Sequence, residues 1–251
     1  RKEQLQLYIS FKSYQMKKNT FYLLLIATLF ISNEAVAQLS KPHFISINAG
    51  TNIPLEDYRR LDSVATGNAK TGLYYSFEAG VYLSKVFGIG LNVGAFTNQI
   101  DDGDIIEQFQ RDFSSNRQIQ VNSEEWFNGY AMIGPYLSFG SENFIVDFKL
   151  LGGVMNSTKP LINVQTDENG NTKVYRSTED EQFNFGINYG LHFRIKLVGK
   201  LGLRLNAEGM MAEQEFSNKI EEVNGSTTST ESTVKKEIEA LNLGAGLVLT
   251  F

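Results

Sequence analysis

Two histidines, His43 and His192, and no cysteine bound the chemistry open to this chain. Without cysteine there is no thiol nucleophile, thiolate metal site, disulfide framework or lipid-modified terminal cysteine. No serine and acid stand at a recognisable spacing from either imidazole, so acyl transfer has no assembled machinery. Phosphate-cradling glycine loops and metal-ligand pairs are absent as well. The run Asp101-Asp102-Gly103-Asp104, with Glu107 nearby, gathers oxygen ligands but lacks the spacing of a calcium loop and reads as a solvated acidic loop. What remains is a set of ionisable residues at alternate positions in otherwise apolar segments: Glu78, Asp147, Lys149, His192, Arg194, Arg204 and Glu208. Their chemistry is mutual neutralisation. We therefore expect no catalytic residue, no cofactor and no resident metal, and a polar network in which Glu78, Asp147 and Glu208 face Lys149, Arg194 and Arg204, with His192 among them.

The elements that position these residues are strands. From Phe183 the chain places Phe183, Phe185, Ile187, Tyr189, Leu191, Phe193 and Ile195 on one face, with Asn184, Gly186, Asn188, Gly190, His192, Arg194 and Lys196 on the other. The same period of two runs through 144–150, 201–208 and 241–251, and more weakly through 43–53, 73–86, 88–99 and 125–139. That makes eight strands. Tight turns fall near 86–88, 140–143 and 197–200, and long polar links near 54–72, 100–124, 156–182 and 217–236. Strict alternation of short and long connections is what an up-and-down barrel in a membrane requires, with short turns toward the periplasm and long loops outward.

The solvent decides which face is which. Outward charges would meet lipid at about 2–4 kcal/mol for a basic group near the midplane, whereas inward they can pair. An eight-stranded barrel is just wide enough inside for side chains. Inward glycines, Gly80, Gly90, Gly94, Gly134, Gly186, Gly190, Gly202 and Gly244, are expected to make room for the long polar groups. Aromatics near strand ends are expected to form two rims, Phe87, Phe139, Phe144 and Phe251 on one and Tyr74, Trp126, Phe183 and Phe216 on the other.

Met16-Lys17-Lys18, the apolar run 21–31 and Ala35-Val36-Ala37 form a signal peptide over 16–37, with cleavage before Gln38; residues 1–15 read as an upstream leader, and 38–251 as the barrel domain. The apolar run is too short for a spanning helix of about 20 residues. Of 23 basic and 28 acidic residues, processing leaves 18 and 26, a net charge of −8, which argues against nucleic acid as a partner.

The closing Gly246-Leu247-Val248-Leu249-Thr250-Phe251 resembles the terminal signal of bacterial outer-membrane proteins, although Gly244 stands where that group often has a polar residue. The resemblance implies that Gly246, Leu249 and Phe251 are read by the barrel-assembly machinery. The segment from Ile45 to Tyr58, a glycine-bearing strand leading to Pro54 and then Asp57-Tyr58, is similar to the first strand of small outer-membrane β-barrels of the OmpA transmembrane-domain and OmpX kind, including porin-family proteins of Bacteroidetes. That likeness implies an all-β, eight-stranded antiparallel up-and-down transmembrane barrel in the outer membrane of a Gram-negative bacterium, contacting outer-membrane lipid and lipopolysaccharide; with the sequence stopping at Phe251, no peptidoglycan-binding domain is expected after the barrel.

Asn169-Gly170 and Asn224-Gly225 favour tight hairpins that extend strands beyond the membrane, where their edges can contact an extracellular ligand. Asp62-Ser63-Val64 matches a short acceptor motif for glycosylation, and Ser226 to Thr230 reads as a solvated loop tip. The functional expectation is a non-enzymatic surface barrel serving envelope integrity or adhesion. A narrow channel is the alternative, and a lipid-modifying enzyme a second.

Overall fold

A computed structural model describes residues 42–251 apart from 64–65, 114–117, 142, 169–170 and 225. The leader and signal peptide expected over 1–37 lie outside the described residues, as do Val64, Asn169, Gly170 and Gly225.

Eight long strands close into a ring: β1 (Phe44–Pro54), β4 (Gly72–Tyr82), β5 (Phe87–Asn98), β7 (Trp126–Gly140), β8 (Phe144–Lys159), β11 (Asp180–Val198), β12 (Leu201–Asn224) and β13 (Ser226–Thr250). Each pairs antiparallel with its neighbours in sequence, β1 also pairs with β13, and β11 with β12, so no edge is left at membrane depth. Closure lets the strands satisfy their backbone hydrogen bonds on one another, which a sheet in hydrocarbon needs. The short connections fall where expected, and Gly140 and Gly199 supply the left-handed backbone at two of them, φ +110° and +57°.

The long connections are more ordered than a loop reading implies. Between β1 and β4 lie a short helix α1 (Glu56–Arg59) and the small pair β2 (Leu61–Ser63) and β3 (Thr66–Gly67). Between β5 and β7 come helix α2 (Asp102–Phe113) and β6 (Gln118–Ser123), and between β8 and β11 the hairpin β9 (Ile162–Glu168) and β10 (Asn171–Ser177). The last connection is a hairpin rather than a loop: β12 and β13 stay paired to Asn224↔Ser226. β10 pairs with the outer part of β12, β9 with β10 and β6 with β9, so the ring carries a sheet extension at its long-loop end.

Burial alternates as the lipid argument demands. Ile47, Phe77, Phe148, Phe185, Leu205 and Leu247 are exposed on the outside, while Glu78, Asp147, His192, Arg204 and Glu208 are fully buried within. Leaving one large apolar side chain in water forfeits about 1.5–3 kcal/mol, so an entire girdle of them belongs in hydrocarbon. Along β12 the outward apolar run from Leu201 to Met211 makes ten steps of about 3.3 Å. At the usual tilt of about 40° this projects to about 25 Å, the height of the apolar band of such barrels.

Two expectations need correction. Tyr74, Trp126 and Phe216, assigned to the outer rim, point inward and are buried, whereas Phe183 is exposed. Their positions have inward parity, and toward the outer end of the barrel rings share the interior with the buried Lys159 and Lys236. Lys196 is exposed, because β11 loses its regular register with β12 between Lys196 and Val198 at the periplasmic turn.

Candidate functional site

The interior builds up in tiers from the periplasmic end. At the base, Arg194 on β11 donates from Nε to Asp147 Oδ2 on β8 at 2.6 Å and from Nη2 to Asp147 Oδ1 at 2.9 Å, a bidentate pair. Tyr82 and Ser138 complete the carboxylate's shell, and the Phe44 ring lies 4.5 Å from both the Arg194 and Arg204 guanidinium carbons. Phe44 fits there because residue 80 is glycine: a Cβ at Gly80 would collide with its ring.

The middle tier holds the remaining charges. Arg204 donates to Glu78 Oε1 at 2.5 Å and to Ser46 Oγ at 3.2 Å, Tyr136 donates to Glu78, and Lys149 Nζ lies 3.4 Å from Glu78 and 3.1 Å from Glu208. Arg204 also donates to Nδ1 of His192, which fixes the ring proton on Nε2, turned toward Glu208 Oε1 at 3.1 Å. Asn92 and Asn188 each donate to Glu208 at 3.3 Å. Two carboxylates and two cations cancel around a neutral imidazole. All seven residues singled out from the sequence therefore lie inside, in two connected groups, Asp147 with Arg194 and Glu78 with Lys149, His192, Arg204 and Glu208.

Glu78, His192 and Glu208 are also the one group among the described residues with ligand atoms close enough, within 4.8 Å, to hold a metal. A dication there would have to displace Lys149 and Arg204 from the same carboxylate oxygens, so the arrangement fits an ion-pair core better than a metal site. His43 stands apart at the rim, accepting from the Tyr82 amide at 3.1 Å.

Above the charges sits a tier that sequence reasoning missed. Asn52 donates to Asn242 at 2.7 Å, Asn98 to Asn52 at 2.7 Å, Tyr58 to Asn98 at 2.9 Å and Asn128 to Tyr58 at 2.9 Å, all buried. Asparagine at inward parity near the outer end of four strands was the available signal; Tyr58, reaching in from α1, had none. Burial pushes the Tyr58 phenol up, so it remains a neutral hydroxyl able to donate and accept. Trp126 closes the stack, its ring centroid 5.5 Å from both Tyr58 and Phe216.

The terminal residues sit at the seam of the ring. Gly246 faces Asn48 and Arg204, Leu249 faces Ile45 and Leu201, and the Phe251 amide donates to the His43 carbonyl at 2.9 Å. The Asp101-Asp102-Gly103-Asp104 run opens α2: Asp101 accepts from the Gly103 amide at 3.1 Å and pairs with Lys70, and Asp102 accepts from Ser123 at 2.6 Å.

No protein-family model matches the chain, and no curated protein matches it. Among solved structures it is similar to a major outer membrane protein from Thermus thermophilus (13% identity, TM-score 0.46, 84% of this chain and 100% of that one). It is similar also to Ail, the attachment invasion locus protein of Yersinia pestis (11%, 0.41, 84% and 100%), and to the outer membrane protease OmpT from Escherichia coli (11%, 0.45, 87% and 100%). The closed ring of eight long strands, its apolar outer band and its polar filling are the architecture of a small transmembrane β-barrel.

Proposed function

We propose that this protein is a non-enzymatic barrel that anchors a surface-exposed platform, serving envelope integrity or extracellular binding and conducting no solute. The observation that carries this reading is the continuous filling of the lumen, from the Phe44, Arg194 and Asp147 base through the Glu78–Arg204 tier to the asparagine tier and Trp126. Conduction would need water to enter where charges are already paired with one another, and breaking a buried pair costs about 3–5 kcal/mol.

In this reading the signal peptide is cleaved before Gln38, the barrel-assembly machinery reads Gly246, Leu249 and Phe251, and lipopolysaccharide surrounds the outer rim. Purified protein in planar bilayers should give no steady conductance, and reproducible open channels would replace this function with the narrow-channel alternative. Terminal sequencing of the protein from outer membranes should begin at Gln38. Lipid turnover that disappears in His192→Ala would favour the lipid-modifying enzyme instead.

A further inference from the structure

The sheet extension has two unlike faces. Ile119, Val121, Val164 and Tyr175 face inward against α2, where the Phe109 and Tyr175 ring centroids are 5.5 Å apart. The opposite face carries its amides on β6 and β9. Asn122, Asn163 and Arg176 share one rung across β6, β9 and β10; Gln120, Gln165 and Val174 share the next; Gln118 pairs with Asp167 on the third. Gln118, Gln120, Asn122, Gln165 and Arg176 are exposed.

Strand formation does not account for this composition, because asparagine is depleted in strands. Edge protection does not either. The outermost strand β6 presents Gln118, Gln120 and Asn122 to solvent, where edge strands usually carry lysine or proline. Arg176 donates from Nε to Asn163 Oδ1 at 2.9 Å, holding both in the plane of the face, while no side-chain hydrogen bond among the described residues occupies Gln118, Gln120, Asn122 or Gln165.

We infer that this amide face binds a neutral polysaccharide at the cell surface. A primary amide presents a donor and an acceptor side by side, as two neighbouring sugar hydroxyls do. Strands stand about 4.8 Å apart, so a glycan lying across β6 and β9 meets an amide on each and reaches Arg176 on β10, and amides along one strand recur at about 7 Å. Charge selects an uncharged partner: Arg176 and Asp167 offset each other on the face, while residues 38–251 carry 18 basic and 26 acidic groups, a net −8, and would repel an anionic glycan. The inference rests on the surface-binding reading above.

Full-length protein in detergent micelles, run into native gels containing a soluble β-glucan, a mannan, a xylan or a sulfated glycan, tests it. At least one neutral polysaccharide should retard the protein, with little dependence on salt. Gln120→Ala with Gln165→Ala, which removes two exposed neutral hydrogen-bonding groups, should weaken retardation about tenfold. Asn122→Asp, which keeps the shape and adds charge, should weaken it too, and the heat-dependent gel mobility of both variants should match the parent. Retardation by the sulfated glycan alone, by none of the four, or equally by parent and variants would overturn the inference. So would a dimer in light scattering that the double alanine variant dissolves, since the amides would then zip against a second copy. Silent bilayers without glycan retardation would sink this inference alone, whereas steady channels would sink the function beneath it.

Discussion

The same strands obey opposite rules at their two ends. On β12, Leu201, Leu205 and Met211 face out while Arg204 and Glu208 are buried; farther along, Glu213 and Glu215 face out while Ala212 and Phe216 are buried. β13 changes over at the matching height, from outward Leu243, Leu247 and Leu249 to Lys235 and Glu237, with Ile238 turned in. Period-two alternation is common to both halves, and only the solvent on the outside differs. The reversal near Met211 therefore marks where hydrocarbon ends and water begins. Below it, apolar groups face out and charges pair inside; above it, charges also face out, and rings fill the core together with the buried Lys159, Gln214 and Lys236.

Substitutions that ignore this boundary should differ in size accordingly. The largest effect is expected from Glu78→Ala, which leaves Arg204 without its carboxylate and Lys149 with Glu208 alone, and should destabilise the barrel by about 3–5 kcal/mol in urea titrations of protein in lipid vesicles. Combining it with Arg204→Met should recover part of that loss; if the double variant is no better than the single one, the pairing account fails. Leu205→Arg, on the lipid side of the boundary, should cost about 2–4 kcal/mol in the same titration. Tyr58→Phe removes the hydroxyl that joins Asn98 to Asn128 and should cost about 1–3 kcal/mol. Because Trp126 is the single tryptophan and packs against Tyr58, its fluorescence should report loosening of the outer cap before the ring unfolds. Glu213→Arg, on the water side, should change stability by no more than about 1 kcal/mol. A cost for Glu213→Arg equal to that of Leu205→Arg would mean the boundary is misplaced.

Much of the fold was legible because alternation is local: seven apolar positions in a row from Phe183 admit a strand with one lipid face and nothing else. The candidate network was legible for the same reason, since inward parity of Glu78, Asp147 and Arg204 needs no knowledge of partners. The rims were misread at Tyr74, Trp126 and Phe216 because an aromatic near a strand end suits both an interfacial belt and a lumen cap, and parity was not applied there. Helix α2 was missed because its acidic start resembles a solvated loop, although Asp101 and Asp102 are what satisfy the helix's first turn and its neighbour.

By itself, then, the sequence determined the number of strands in the ring and their facing, both of which follow from residue period and from the cost of charge in lipid. Which carboxylate meets which cation, the joining of Asn52, Asn98, Asn128 and Asn242 through Tyr58, and the gathering of the amides of β6 and β9 beside Arg176 of β10 were decided only by the tertiary pairing of the strands. Those contacts join residues as far apart as Asn52 and Asn242, and no local pattern sets the height at which two distant strands meet.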